Sequence, residues 1–438
     1  MFRTKQTFTI KNIAEFKSNL LVWAQQFDKA IWLDSNNPNE NNSSYNLSDY
    51  DAVLAVDALT DLKCDSEQSF QKLKKYQENL EDYIFGYLSY DLKNDVENLT
   101  SNNLDGLYFP DLYFFQPKKL FFIKENFVTV KYMAEFSDEI EFDIAEIKSF
   151  NIKKEPSKEN EIKIKLRIHK DEYHNKLETI LNHISRGDIY EVSFCQEFYA
   201  ENSRINPVKV YQNLNEISSS PFATFLKLDN KFLLSASPER FLKRSKNTII
   251  SQPIKGTIKR GKSKLEDEKL KNQLENDLKE RAENIMIVDL VRNDLSRTAI
   301  KGSVKVAELC KVYSFKQVHQ LISTVVSEVK PETNSVDIIK SLFPMGSMTG
   351  APKIAAMKII EDLEETKRGL FSGAVGYISP TGDFDFNVII RSILYNASNK
   401  YVSYSVGGAI TSKSNIEKEY EECLLKAKAM RQVLLQPN

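Results

Sequence analysis

The chain has 438 residues, 41% of them hydrophobic, enough for one large domain or for two or three of average size. Its 60 basic and 61 acidic residues leave a net charge of −1, and no basic stripe is interleaved with aromatics, which argues against a nucleic-acid surface. No apolar run approaches the ~18 residues of a membrane-spanning helix, the four cysteines (Cys64, Cys195, Cys310, Cys423) lie far apart, and no signal-peptide pattern opens the chain; a reduced, cytoplasmic setting is the expectation.

The Asn- and Ser-rich stretch from Asp34 to Asp49 reads as a loop. Leu112–Phe115 and Leu120–Ile123 read as strands. Residues Asn151 to Glu161 are charged, contain a proline and lack periodicity, which suggests a linker. Beyond it, Asp171–Ser185 is helical in pattern, and Ile189–Phe198, Ala223–Leu228 and Phe232–Ser235 read as strands. The stripe Leu274, Leu278, Ala282, Ile285, Val288, Val291, Leu295 predicts one long helix over Lys264–Ser296. Strands are expected at Gly373–Ile378, Phe386–Ile393 and Tyr401–Val406, with a closing helix from Asn415. Helices and strands mix without strict βαβ alternation, so an α+β architecture with antiparallel sheets fits best.

Pro253-Ile254-Lys255-Gly256-Thr257 follows an apolar run and reads as a turn that presents one lysine. That lysine is a base, an anion ligand or a nucleophile. Gly256 to Ser263 matches the phosphate-loop pattern G-x-x-x-x-G-K-[ST]. The segment that would supply its magnesium-holding strand, Ile285–Asp289, lies inside the helical stripe and too close downstream, so a nucleotide hydrolase is disfavoured. Glu280 and Glu283 share a helix face, and Glu419 and Glu422 repeat the spacing, with Lys426 one turn further along. Such pairs usually mark a solvated face. Converging, they suit Mg²⁺, and the absence of a nearby E-x-x-H speaks against a di-iron bundle. Gly346–Lys353 leads into a helix start with free N–H groups. Gly407-Gly408-Ala409 follows a strand, and Arg391 ends an apolar run as a salt-bridge partner or a carboxylate fork.

Together these segments resemble the chorismate-utilising enzymes, the family of the large subunits of anthranilate and aminodeoxychorismate synthases and of isochorismate and salicylate synthases. The resemblance runs through Gly187-Asp188-Ile189-Tyr190, Ser237–Phe241, Pro253–Thr257, Arg281–Asn284 continuing into Val288–Leu295, Phe343–Lys353, Gly373–Tyr377 and Glu419–Lys426. Gly86–Asp91 extends it into the first part. It implies antiparallel β-sheets packed face to face with helices on the outside, as a single large globular unit. Within that unit, 1–155 would be the N-terminal region and 156–438 the chorismate-binding part. It implies Mg²⁺ held through Glu280, Glu283, Glu419 and Glu422. Gly256, Thr257, Ser347 and the amides of Gly407, Gly408 and Ala409 would surround the ring carboxylate, near Lys426. Tyr377 and Arg391 would take the pyruvyl carboxylate.

Within the family, lysine at 255 is characteristic of aminodeoxychorismate synthases, where anthranilate synthases carry alanine. The implied reaction is addition of the Lys255 amine to C2 of chorismate with loss of the C4 hydroxyl, then attack of ammonia at C4, toward p-aminobenzoate and folate. Glu239 would be the general acid, and His319 matches the family's active-site histidine. A neutral amine is needed, so Lys255 is expected to have a lowered pKa. Glu191 departs from the family, which has lysine there in water-adding members and usually glutamine in ammonia users. No glutamine-amidotransferase signature is present, which implies a separate glutaminase partner. Anthranilate synthase component I is the alternative.

Overall fold

The computed structural model describes residues 2–36, 49–65, 67–150, 162–316 and 318–436. The linker at 151–161, with the boundary at 155/156, lies outside them, as does most of the Asn- and Ser-rich stretch.

Strand-forming residues and alternating burial put the named strands into one continuous network, with every pair antiparallel. One run begins with Arg3–Thr9, Phe127–Met133 and Leu112–Lys124, and passes through Ala52–Cys64, Lys29–Asp34, Phe222–Leu228 and Lys231–Ser237. It then continues through Ser392–Asn396 and Tyr401–Thr411 to Glu191–Ala200. A second run leaves the start of Leu112–Lys124 through Ile84–Leu88, Ala374–Ile378, Phe384–Val388, Arg240–Ser245 and Thr248–Gln252. It ends at Val318–Glu328, which also pairs with Ile254–Lys259 and Lys305–Ser314. Between the runs lies a core with Ile31, Val53, Leu226 and Leu233 from the first and Tyr87 and Val375 from the second. Helices cover the outer faces: Ile180, Tyr420 and Met430 pack on the first run, Ile287, Val291 and Ile339 on the second. This is the expected face-to-face α+β architecture. Its pairings cross the chain, with Lys29–Asp34 joined to Phe222–Leu228 and Ile84–Leu88 to Ala374–Ile378.

Several elements differ from the sequence expectation. The long helix is two, Lys264–Glu275 and Leu278–Ser296. Asp277 breaks it because its side chain competes for backbone N–H groups. Asp277 Oδ1 accepts from Lys279 N (2.9 Å) and Glu280 N (3.1 Å), restarting the helix in a new direction. The buried face is accordingly Asn284, Ile287, Val288, Val291, Asp294 and Leu295, while Leu278 and Ile285 are exposed. The apolar pattern failed because two polar residues, Asn284 and Asp294, belong to the inner face.

The expected strand Phe386–Ile393 ends at Val388 and resumes at Ser392. Arg391 there has φ 52°, in the left-handed region, a conformation that its apolar neighbours do not announce. The strand expected at Tyr401–Val406 runs on to Thr411, so Gly407–Ala409 lie inside it rather than after it. A Cβ at Gly407 would fall 2.0 Å from Phe194 O, so the paired strand itself demands glycine. Leu112–Phe115 and Leu120–Ile123 are ends of one strand.

Asp277→Ala should lower stability by about 1 kcal/mol, as for loss of an N-cap. Urea denaturation followed by circular dichroism measures this, and an unchanged midpoint would show that the cap does not hold the helix.

Candidate active site

Lys255 lies on a strand, not in a turn. Ile254 pairs with Ile322 but Thr257 with Gln320, so the strand carries one extra residue, a bulge that re-aims its side chains. Gly256 makes this possible with φ 90°, and a Cβ there would sit 3.2 Å from the Glu280 carboxylate. The bulge turns Lys255 inward, where its side chain is 16% exposed. Lys255 Nζ donates to Glu191 Oε1 at 3.2 Å, and Asn284 Nδ2 donates to Lys255 O at 3.4 Å. Burial pulls the Lys255 pKa down, but the carboxylates of Glu191, Glu283 and Glu239 outweigh it and hold the ammonium above the usual lysine value. This reverses the expected lowering, because the sequence could not show how many carboxylates face the amine.

Glu239 is buried beside this lysine. Its carboxylate accepts from Ser347 Oγ at 2.8 Å. Burial pushes its pKa up to about 7, against the opposing effects of the Ser347 hydroxyl and the Lys255 charge. A cavity borders it, lined also by Ser347, Asp294, Val291 and Met345.

The two glutamate pairs converge. Lys279 feels Glu283, Glu419, Glu280 and Glu422 together, and they raise its pKa against the effect of burial. Burial, then repulsion from Glu283, raises Glu280; burial chiefly raises Glu419, with Glu422 adding to it. Burial opposes ionisation of Glu422 too, but Lys426, 2.7 Å away, outweighs it and lowers its pKa. Lys426 Nζ also donates to Gly407 O at 2.8 Å, and a Cβ on Gly408 would lie 3.3 Å from Glu419 Oε2. Among the described residues no group of three or more acidic, histidine or cysteine side chains is arranged to hold a metal ion. The donor set nonetheless fits a hard cation that keeps much of its water: hard carboxylates from two helices, two of them held back from ionising by burial and mutual repulsion.

Arg391 faces this cluster. Burial lowers its pKa while Glu422 opposes the shift. Its guanidinium has no hydrogen-bond or ion-pair partner among the described residues, a costly state that an anion would relieve. Thr257 and Ala409 lie in the strands that carry Lys255 and Gly408.

Two expected residues stand apart. Tyr377 stacks on Phe85 (5.2 Å) and lines a second cavity with Asp34, Tyr50, Phe222 and Asp385. Alternation along Ala374–Ile378 turns it to the core between the sheet runs, with Tyr83, Asp385 and Asp49 as ionisable neighbours rather than Arg391. His319 is buried with both ring nitrogens engaged, Nδ1 with Ser314 Oγ (2.8 Å) and Nε2 with Asp267 Oδ1 (3.0 Å). Its polar partners include neither Lys255 nor the glutamates.

Sequence reasoning missed Glu364 and Arg368. Glu364 Oε1 accepts from Cys195 N, and Arg368 donates to Glu364, Ser193 O (2.7 Å) and Met348 O (2.6 Å). This buried pair ties the strand opposite Gly407–Ala409 to the Ser347 loop. Its signal was an E-x-x-x-R spacing, which resembles a surface pair.

Carboxyl-observed NMR should place the Glu239 midpoint near 7, and Ser347→Ala should move it higher because the hydroxyl stabilises the anion. A midpoint in the ordinary range of about 4 would contradict the buried environment.

The residues from 27 to 432 match the family described as chorismate binding enzyme. The chain is 41% identical over 263 residues to a chloroplastic aminodeoxychorismate synthase of Arabidopsis thaliana, covering 59% of this chain and 28% of the relative. It is 32% identical over 360 residues to aminodeoxychorismate synthase component 1 of Bacillus subtilis, covering 80% of this chain and 76% of the relative. It thus spans under a third of the plant relative's length. The crystal structure of anthranilate synthase component I from Streptococcus pneumoniae superimposes with a TM-score of 0.76 at 27% identity, over 86% of this chain and 91% of that one. With the site's two converging glutamate pairs and anion-ready arginine in place, the match over almost the whole length settles the membership: this chain belongs to the chorismate binding enzyme family.

Proposed function

We propose that this chain aminates chorismate to 4-amino-4-deoxychorismate, toward p-aminobenzoate and folate, using ammonia supplied by a separate glutaminase subunit. The observation that carries the reading is the buried amine of Lys255, aimed from a bulge and flanked by Glu191 and by a Glu239 poised near neutrality. The names of the Arabidopsis and Bacillus relatives support the same reaction, and the component 1 naming supports a partner subunit.

In this reading the dianionic substrate meets Arg391 through its pyruvyl carboxylate. Its ring carboxylate lies against the amides of Gly256, Thr257 and Gly407–Ala409, near Ser347 and Lys426. Glu280, Glu283, Glu419 and Glu422 would hold Mg²⁺, which supplies charge neutralisation at that carboxylate. The Lys255 amine forms a bond to C2 while the ring double bond shifts and the C4–O bond breaks. Glu239, its pKa raised to about 7 and so partly protonated at neutral pH, gives its proton to the departing hydroxyl, which leaves as water. Ammonia then bonds to C4, the double bond shifts back, and the C2–N bond to Lys255 breaks. No proton-transfer role is assigned to His319, whose ring nitrogens are held by Ser314 and Asp267.

Anthranilate synthase is the second reading, favoured by the likeness to the Streptococcus pneumoniae structure. Chorismate, Mg²⁺ and ammonium salt incubated with the protein separate the two. The expected product is converted to p-aminobenzoate by an added aminodeoxychorismate lyase, whereas direct release of anthranilate would overturn the proposal. Lys255→Ala should reduce turnover on the order of a thousandfold or more. Arg391→Ala should raise KM about a hundredfold, the loss expected for a pair of charge-assisted hydrogen bonds.

A further inference from the structure

A lysine that attacks a ring must first lose a proton, and this one starts as an ammonium held by carboxylates. The question is where the proton goes. Four carboxylates face it: Glu191 from the strand Glu191–Ala200, Glu239 from the segment before Arg240–Ser245, Glu283 from the helix Leu278–Ser296 and Glu422 from the closing helix. Among the described residues, only Glu191 lies within hydrogen-bond distance of Nζ. Glu239 is engaged by Ser347 and assigned to the departing hydroxyl. Glu283 and Glu422 belong to the cluster assigned to the cation.

Glu191 is also fixed. Its backbone is clasped between Thr411 and Ala351 on two neighbouring strands. The residue is 4% exposed, and Lys255 is the hydrogen-bond partner of its carboxylate. A surface ion pair needs neither this burial nor this clamp.

We propose that Glu191 takes the proton Lys255 must shed, holds it while the lysine is bonded to the ring, and returns it when the amine is expelled; this rests on the lysine-adduct reading above. The balance closes. The ion pair becomes a neutral amine and a neutral carboxylic acid by transfer from Nζ to Oε1. The amine attacks C2 and becomes a secondary ammonium. When ammonia displaces it, the C2–N electron pair returns to nitrogen, leaving a neutral lysine that regains its proton from Glu191. Substrate binding excludes water, and in a drier site the neutral pair is favoured over the ion pair.

The test is adduct formation without ammonia, followed by intact mass in the wild type, Glu191→Gln and Glu191→Asp, with chorismate and Mg²⁺ from about pH 6 to about pH 9. The adduct adds one chorismate less one water. The wild-type rate should fall above about pH 7 as Glu239 loses its proton, so each variant is read as a ratio to the wild type at the same pH. Glu191→Gln should be slower by about tenfold or more at neutral pH, with the deficit closing as pH rises and solvent base takes over. Glu191→Asp, which keeps a carboxylate, should follow the wild-type pH profile at a reduced rate. A purely electrostatic role predicts the opposite sign: removing the carboxylate lowers the proton affinity of Lys255, so Glu191→Gln would react faster at neutral pH. That result, or a Glu191→Gln profile matching the wild type, overturns the proposal while the adduct stands. If the wild type forms no adduct, the lysine-adduct reading fails and this inference with it. If Glu191→Gln does not fold, a wild-type-like pH profile at a reduced rate in Glu191→Asp supports the proposal, and full wild-type rate there overturns it.

Discussion

The structure depends on gathering an unbalanced set of charges, with Glu419 buried, Lys255 mostly so and Glu422 half exposed. Four glutamates, a lysine and an arginine share one end of the sheets, and the arginine has no partner of its own. Each buried ion costs several kcal/mol when unpaired. The set persists because its backbone is fixed by long antiparallel ladders and by helices packed on large cores. In the proposed reading, a dianion with a divalent cation would complete the charge pattern and turn the frustration of the free protein into selectivity for such a ligand.

The scaffold also explains why the chain is so long for one site. Lys255 and Glu239 come from the second sheet run, Glu191 and Gly407–Ala409 from the first. Keeping a hydrogen bond between Lys255 and Glu191 therefore requires the two runs to be stiff relative to each other. The Glu364–Arg368 pair supplies one such tie, because Arg368 bonds carbonyls on both the Ser193 strand and the Ser347 loop. With both members buried, breaking it would leave an uncompensated ion and loosen both walls together.

The family motifs and the glutamate spacing were legible because each is written in local pattern, and the face-to-face sheets followed from the family resemblance. The i, i+3 carboxylates of Glu280 and Glu283 needed only a helix, and a helix was there. What was not legible depended on long-range contacts. The bulge at Gly256 arises from register against Ile322 and Gln320, some sixty residues on, so its segment read as a turn. Gly407–Ala409 read as a loop because glycine is rare in strands, whereas the approach of Phe194 O requires it there. The break at Arg391 sits amid apolar residues that carry no turn signal. Lys255 looked like an amine that burial would neutralise, because sequence spacing does not reveal that Glu191 reaches its Nζ from the facing run.

That last contact divides the labour between two buried glutamates by environment alone. Glu239 has a hydroxyl donor and a lysine charge nearby, yet burial dominates and pushes its pKa up to about 7. Glu191 instead accepts a hydrogen bond from the lysine ammonium at 3.2 Å. In the proposed reaction one carboxyl gives a proton and the other receives one, on either side of the same amine. Exchanging the two environments would put the acid against the nucleophile and the base against the leaving group. The order in which strands from distant parts of the chain meet is thus what assigns the two roles.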